Sequence, residues 1–471
     1  MPDLSKNKAE FYLNHSSSAI MDLKVELYLL DTGAEAPIVN MEYAYVSHKG
    51  FPKSPYKTPM PTVDKKSLSK KEVLSTYVSI TQEKDKAFKL AFIGVNKGEV
   101  YSFENMLSAP YYSMLEHTAL TNPTFPGVIG LTERTSTNLF LEDGVYGLWS
   151  FDTPNPVEDG KFPGKNLYGV HPFFMGMDSD KNWFGVFSNS AAAQDWWVSN
   201  GKDDDAGKVT LTQMSTGGVA DLYFMASATP EGVTKAYHSI VGTPVTIPQW
   251  ALGWNQCRWG YSDTDHLRQV VANYSDNEIP LDVQWSDIDY LNSFEDFTYD
   301  PFYFKDLPDF VDELHDKNMR YVPILDAGIA ISKNTGYDAY QDGLDRDAYI
   351  KDSNGDRVEG KVWPGDATFP DFNSDDGKTF WLNNLNMFYD KVKFDGLWMD
   401  MNEASNFVNG AKYSFQESTY PIKWNLPYMP TGRDLEMKSL PLDAVHADGT
   451  LELDVHSLFG KNEVSTTHSW F

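Results

Sequence analysis

Between Leu23 and Leu30 the sequence LKVELYLL alternates without a break. Leu23, Val25, Leu27 and Leu29 share one face, and Lys24, Glu26 and Tyr28 the other. A period of two marks a half-buried strand. YVSITQ, KLAFIGV, KVTLTQM and DLYFMAS repeat the style between polar turns. Closely spaced strands of this kind predict a large antiparallel β-sandwich over residues 1–245. Near its end, Thr229 and Pro230 read as the N-cap and first residue of a short helix.

The pattern changes after GTPVTIPQW (Gly242 to Trp250), a stretch with two prolines and little room for regular structure. From there short apolar runs alternate with helical stripes. WALGWNQC predicts a strand ending near Arg258 and Trp259, LDVQW one ending near Asp287, YVPILD one ending at Asp326, and GLWMD one ending at Asp400. Between them, Leu267, Val270, Val271 and Tyr274 fall at i, i+3, i+4 and i+7, as an amphipathic helix requires. Leu307, Phe310, Val311 and Leu314 repeat the stripe, and Trp381, Leu385, Phe388 and Val392 give a third helix. Alternating strands and helices predict a parallel sheet with crossover helices. No Gly-rich phosphate loop or dinucleotide fingerprint follows the first strand. The expected architecture for residues 246–471 is therefore a (β/α) barrel.

Charge narrows the partners. The chain carries 39 Lys and Arg against 67 Asp and Glu, a net charge of −28. Nucleic acid and anionic membrane surfaces would repel it. The basic stretch Lys53 to Lys71 reads as a solvated connection. A single cysteine, Cys257, rules out an internal disulfide and cysteine-based metal sites. The longest apolar run, FKLAFIGV, is too short to span a bilayer, and the first fifteen residues lack the apolar core of a signal peptide. Asn14 and Asn273 sit in glycosylation acceptor sequences, which matter only in a secretory compartment. Aromatic residues make up 14% of the chain, with 13 Trp and 26 Tyr. This content fits an aromatic core and also fits a sugar-binding cleft.

The candidate chemistry lies at the strand ends. Three consecutive strands stop at aspartates: Asp287, Asp326 and Asp400. In a parallel barrel all these ends open on one face, where active sites are built. Carboxylates brought together must be paired, shared or solvated. Glycoside hydrolysis uses such a pair, one to attack and one to donate a proton. A single acid at a strand end is most simply a loop cap. Three in succession, within WSDID and WMDMNE contexts, favour a site. Oxygen ligands also suit a divalent metal, but no loop of the required Asp/Asn/Gly spacing is present, so neither metal nor cofactor is expected. Trp259, Trp285, Trp363 and Phe407 lie beside the acids, on loops where function tends to sit.

The motifs NLYGVHPFFMG, CRWGYSDTD, PLDVQWSDIDYL, KVWPG, FPDF and DGLWMDMNEASNF, in that order, resemble glycoside hydrolase family 31, the retaining α-glucosidases. The resemblance covers nearly the whole chain and is weakest before about residue 120. It is nearest to the lysosomal, sucrase-isomaltase and maltase-glucoamylase type. It implies a galactose-mutarotase-like sandwich, a (β/α)8 barrel, an α-glucoside oligosaccharide or glucan as substrate, and a lysosomal or secreted location. By the same resemblance Asp400 is the nucleophile, and Asp287 hydrogen-bonds hydroxyls of the glucose in the −1 subsite. Trp259, Ile288, Ile324, Asp326, Trp363, Trp398, Met401 and Phe407 line that pocket. Asp152, in YGLWSFDTP, sits on a sandwich loop reaching over the barrel face. Glu403 is the rival to Asp400 by position and is given a supporting role.

Departures are mild: Ala404 and Ala327 stand where proline is common, and HSLFG (His456 to Gly460) varies a usual motif. The family's acid/base aspartate and later barrel strands would fall beyond Phe471. The expectation is an incomplete barrel whose proton donor lies elsewhere and whose isolated activity is poor. Within the family, lyase and transglycosylation chemistry stay open. A non-catalytic glucan-binding role is the reading from a different class.

Overall fold

A computed structural model describes residues 5–13, 23–30, 38–45, 74–81, 88–109, 112–135, 138–153, 166–217, 219–332, 337–411, 426, 428–432 and 434–471. The Lys53–Lys71 stretch and Asn14 lie outside the described residues. The chain forms two compact units. The first comprises Met1–Thr243, Pro421–Leu435 and Leu453–Ser457; the second comprises Pro244–Tyr420, Glu436–Glu452 and Leu458–Phe471.

The first unit is built on β1 (Lys8–Leu13), β2 (Leu23–Leu30), β3 (Ile38–Tyr45), β4 (Val78–Thr81), β5 (Lys89–Ile93), β6 (Glu99–Ala109), β7 (Tyr112–Leu120), β8 (Val128–Arg134), β9 (Gly144–Leu148), β10 (Asn166–Met177), β11 (Trp183–Ser188), β12 (Gln194–Asn200), β13 (Lys208–Ser215) and β14 (Val219–Ser227). They pair into two sheets, β1-β2-β3-β14-β11-β10-β8 and β4-β5-β6-β7-β13-β12-β9. In β2 the alternation holds residue by residue: Leu23, Val25, Leu27 and Leu29 are buried, and the three residues between them are partly exposed. Phe92, Tyr101, Phe103, Phe174, Phe184, Trp196 and Phe224 fill the core, with Phe92 stacked on Phe224 at 4.5 Å. Much of the aromatic content therefore serves packing here.

Successive residues of β14 face opposite sides. Leu222 and Phe224 enter that core, while Tyr223 and Met225 join a second cluster under α1 (Pro230–Val241), with Val233 and Ala236. Thr229 caps this helix as expected, accepting the Gly232 N–H at 3.1 Å.

Two segments from within 246–471 pack in this unit, a feature that periodicity did not indicate. The Tyr428 hydroxyl donates to Asp195, and the Thr431 N–H donates to the same carboxylate at 2.8 Å. The Trp149 indole N–H donates to the Leu435 carbonyl at 3.0 Å. Its ring stacks on His456 at 4.1 Å, and His456 Nε2 lies 2.7 Å from the Ser150 carbonyl. These contacts come from short turns, Pro430–Gly432, Glu452–Val455 and His456–Leu458, and the chain beside them, all too brief to show a repeat.

The second unit contains α2 (Thr264–Asp276), α3 (Leu307–Asp316), α4 (Ala339–Arg346), α5 (Asp375–Lys391) and the helix Phe459–His468, with β15 (Asn255–Gln256), β16 (Val283–Ser286), β17 (Arg320–Asp326), β18 (Ile329–Ala330), β19 (Gly360–Val362), β20 (Gly365–Thr368) and β21 (Trp398–Asp400). β15, β16, β17 and β21 form a parallel sheet in that order. The predicted stripes are largely the buried faces: Leu307, Phe310, Val311 and Leu314 on α3; Trp381, Leu385 and Phe388 on α5, with Val392 buried just past its end; on α2, Leu267 and Val271 are buried and Val270 and Tyr274 partly exposed. Asn273 is exposed in the last turn of α2.

The first strand is a correction. Expected as a buried strand, it covers only Asn255–Gln256 and is partly exposed, because Gln249–Leu252 winds into a 3-10 turn before it and Trp259 begins another turn beyond it. The small antiparallel sheet β18-β20-β19 was also not foreseen. Its strands of two to four residues are too short to show a period.

Candidate active site

The parallel sheet brings the strand ends together. Asp326 and Asp400 are register partners across β17 and β21. Asp287 follows Ser286, which pairs with Pro323 on the neighbouring strand. The three aspartates thus lie along one edge of the sheet, but their surroundings differ. Asp400 is exposed, Asp287 is half-buried, and Asp326 is only 4% exposed.

Burial and like charge shape this group. Burial first, then Asp400, Asp287 and Glu403, push the Asp326 carboxyl up to about 8. Burial also raises Asp287, with Asp289 and Asp400 adding to it, although the Ile288 N–H donates to its carboxylate at 2.7 Å. Asp296 is fully buried behind them, accepts the Asp326 N–H at 2.8 Å, and is raised by burial and by Asp326. Buried carboxyls this close resist ionising together. The site therefore holds protons, and Asp400 is its solvent-facing acid.

Directly after Asp400 the chain reverses. Met401 adopts a φ of 59°, in the left-handed region, where a bulky residue is held only by its surroundings. This turn explains how an acid leaves the core without Gly or Pro. Glu403 follows within the turn and is buried, so its side chain does not share the open position of Asp400.

Aromatic rings stand beside the acids. Trp259, at 64% exposure, lies 6.0 Å from Trp363, which meets Phe407 edge-on at 5.1 Å. Trp398 and Trp285 form a second pair at 5.9 Å, and the Trp285 indole N–H donates to Asn255 Oδ1 at 2.9 Å. Met401 and Trp398 are partly buried against the core, and Ile288 and Ile324 are inside it. Asp152 belongs to the first unit, on the stretch that follows β9. Among the described residues no three or more His, Cys, Asp or Glu side chains are arranged to hold a metal ion, and no helix is long and apolar enough to cross a membrane.

Two buried acids escaped the sequence reading. Asp296, in FEDFTYD, carries no local signal. Glu463 did carry one: on the helix Phe459–His468 it falls on the buried stripe with Phe459, Thr466 and Thr467.

Residues 244–471 match the glycosyl hydrolases family 31 TIM-barrel domain. The chain is 36% identical over 340 residues to the lysosomal alpha-glucosidase of Mus musculus, covering 71% of this chain and 34% of that protein. It is 36% identical over 357 residues to the alpha-glucosidase of Hordeum vulgare, covering 75% and 39%. The chain thus spans little more than a third of these relatives. Among solved structures, a glucosidase II alpha subunit aligns with a TM-score of 0.78 at 18% identity, over 99% of this chain and 54% of that one. A family 31 dextranase from Flavobacterium johnsoniae aligns at 0.72 and 18% identity, over 100% and 52%. Both likenesses speak to the fold.

Proposed function

Residues 244–471 belong to glycosyl hydrolase family 31, and from that premise we propose that the site cleaves terminal α-linked glucose with retention, Asp400 acting as nucleophile. The observation that carries the reading is the contrast between register partners: Asp400 is open to solvent beside a buried Asp326, whose carboxyl is pushed up by burial and by the neighbouring acids. A nucleophile must be ionised and reachable, and an acid that keeps its proton can donate a hydrogen bond to a sugar hydroxyl. In this scheme the Asp400 carboxylate attacks the anomeric carbon and forms a glycosyl-enzyme, which water then hydrolyses. Asp287 and Asp326 hold hydroxyls of the −1 glucose. Trp259, Trp363 and Phe407 offer ring faces beside the reacting sugar, with Trp398 and Met401 below. Glu403 supports the turn.

Retention needs a second carboxyl, about 5 Å from the first, to protonate the leaving oxygen. The names of the relatives support an α-glucoside as substrate, and that of the Mus musculus protein supports a lysosomal location.

A 5-fluoro-α-glucosyl fluoride tests the nucleophile without calling on the donor. Fluoride leaves C1 unaided with its electron pair as the Asp400 oxygen bonds to that carbon. Peptide mapping should find the sugar on Asp400, and Asp400→Asn should abolish it. A label on Glu403 would reverse the assignment. Absence of any label, with maltotriose still bound, would favour a glucan-binding role, for which the exposed row of aromatic rings already provides a surface.

A further inference from the structure

Glu463 is fully buried, at 0% exposure, on the helix Phe459–His468. Neither of its oxygens makes a hydrogen bond of normal geometry among the described residues. The helix is fixed on the body of the unit. The Trp381 indole N–H donates to Thr467 Oγ1 at 2.9 Å, and Phe459 meets Phe372 edge-on at 5.3 Å. It also abuts the turn after the nucleophile. A Cβ on Gly460 would come within 2.8 Å of the Asn402 carbonyl oxygen, so only glycine lets the helix backbone lie that close. One turn further on, the Asn402 side chain is the polar neighbour that favours a charged Glu463. The charged groups facing it are all acids: Asp326 from the end of β17, Asp400 and Glu403 from β21 and its turn, and Asp296 from behind. Burial and four neighbouring acids outweigh the one polar contact from Asn402, so the acid keeps a proton.

We propose that Glu463 is a positioning residue of this site: carrying a proton, it wedges beneath Asn402 and fixes the Met401–Glu403 turn that presents Asp400. The assignment deepens the reading of Asp400 as nucleophile and rests on it. A protonated Glu463 supplies a neutral support. Once ionised, it would repel Asp400, Asp326 and Glu403 and loosen the turn.

The test uses the 471-residue chain and Glu463→Gln, which keeps shape and removes the charge. Thermal midpoints are measured without ligand from pH 5 to pH 9. The wild type should lose stability as pH rises, and Glu463→Gln should lose about 2–4 °C less. Parallel slopes would overturn the proposal, because a merely structural side chain leaves the pH profile unmoved. In a second arm, maltotriose affinity is read by tryptophan fluorescence. The wild type should weaken about tenfold between pH 5 and pH 9, as one pH unit of linked ionisation requires, and the variant should weaken less. Equal weakening counts against Glu463. Absence of maltotriose binding in both proteins sinks the substrate reading instead, and the thermal arm still decides on Glu463. If Glu463→Gln fails to fold, Asn402→Ala removes the group through which Glu463 acts. Amide exchange across residues 401–404 should then quicken about tenfold, and unchanged exchange overturns the proposal.

Discussion

Replacing His446 with alanine should unlock a buried ionic clamp, and the loss should depend on pH in a defined direction. His446 lies between two carboxylates, with Nδ1 2.8 Å from Asp371 Oδ1 and Nε2 3.0 Å from Glu452 Oε2. All three side chains are buried. With an acceptor at each nitrogen, both must be donors, which requires the imidazolium. Burial opposes that charge, but the two carboxylates outweigh it and push the ring up to about 10 from 6.5. Burial likewise opposes ionised Asp371, yet His446 and the Ala447 and Asn373 N–H groups hold it below its ordinary value.

A rise of that size corresponds to roughly 5 kcal/mol at 1.4 kcal/mol per pH unit. Removing one member of a buried pair costs about 3–5 kcal/mol, so the two estimates agree. The sign follows from the raised value. The contribution is fully present below 6.5 and is lost as pH climbs through about 10. Urea unfolding of wild type and His446→Ala, followed by tryptophan fluorescence, should show a gap of about 3–5 kcal/mol at pH 6 that narrows steadily toward pH 10. A gap below about 1 kcal/mol at pH 6, or one that stays constant with pH, would refute the clamp.

Asp326→Asn should act at the same alkaline end. Its raised carboxyl adds stability that is greatest below 3.8 and disappears as pH rises through about 8, so melting curves should show the variant gaining on the wild type between pH 5 and pH 9. Thr229→Ala removes the cap of α1 and should lower the stability of the first unit by about 1 kcal/mol, measured by urea denaturation. Trp363→Ala deletes the ring that touches both Trp259 and Phe407. Maltotriose affinity should fall about tenfold, the upper end for a lost aromatic contact, as read by titration calorimetry.

The acids at Asp287, Asp326 and Asp400 were readable because strand length and apolar runs are local properties, and each run stops at its acid. The stripes on α3 and α5 were readable for the same reason. The clamp was not: Asp371 sits in the quoted FPDF motif, but its partner is 75 residues away, and nothing local links them. Ile288 and Ile324 entered through family likeness as pocket residues; the structure buries both in the core, a placement that the apolar run YVPIL implies for Ile324 but that nothing local implies for Ile288, set between two aspartates. The reach of Leu435 and His456 to Trp149 depends on contacts rather than periodicity, so 421–435 and 453–457 read as part of the following domain.

That crossing constrains the order of events on the ribosome. Trp149 donates to a carbonyl made 286 residues later. At about 5–20 residues per second, its partner arrives roughly 15–60 s after it. The first unit therefore cannot finish while it is being made, and must wait with its Trp149 face uncovered until Ser457 has emerged. A protease cut at Thr243 would not yield two clean halves either, since the first half would lack two of its own segments. The two units are consecutive along the gene only in part, so the length of that interval is set by translation and not by the folding speed of the sandwich.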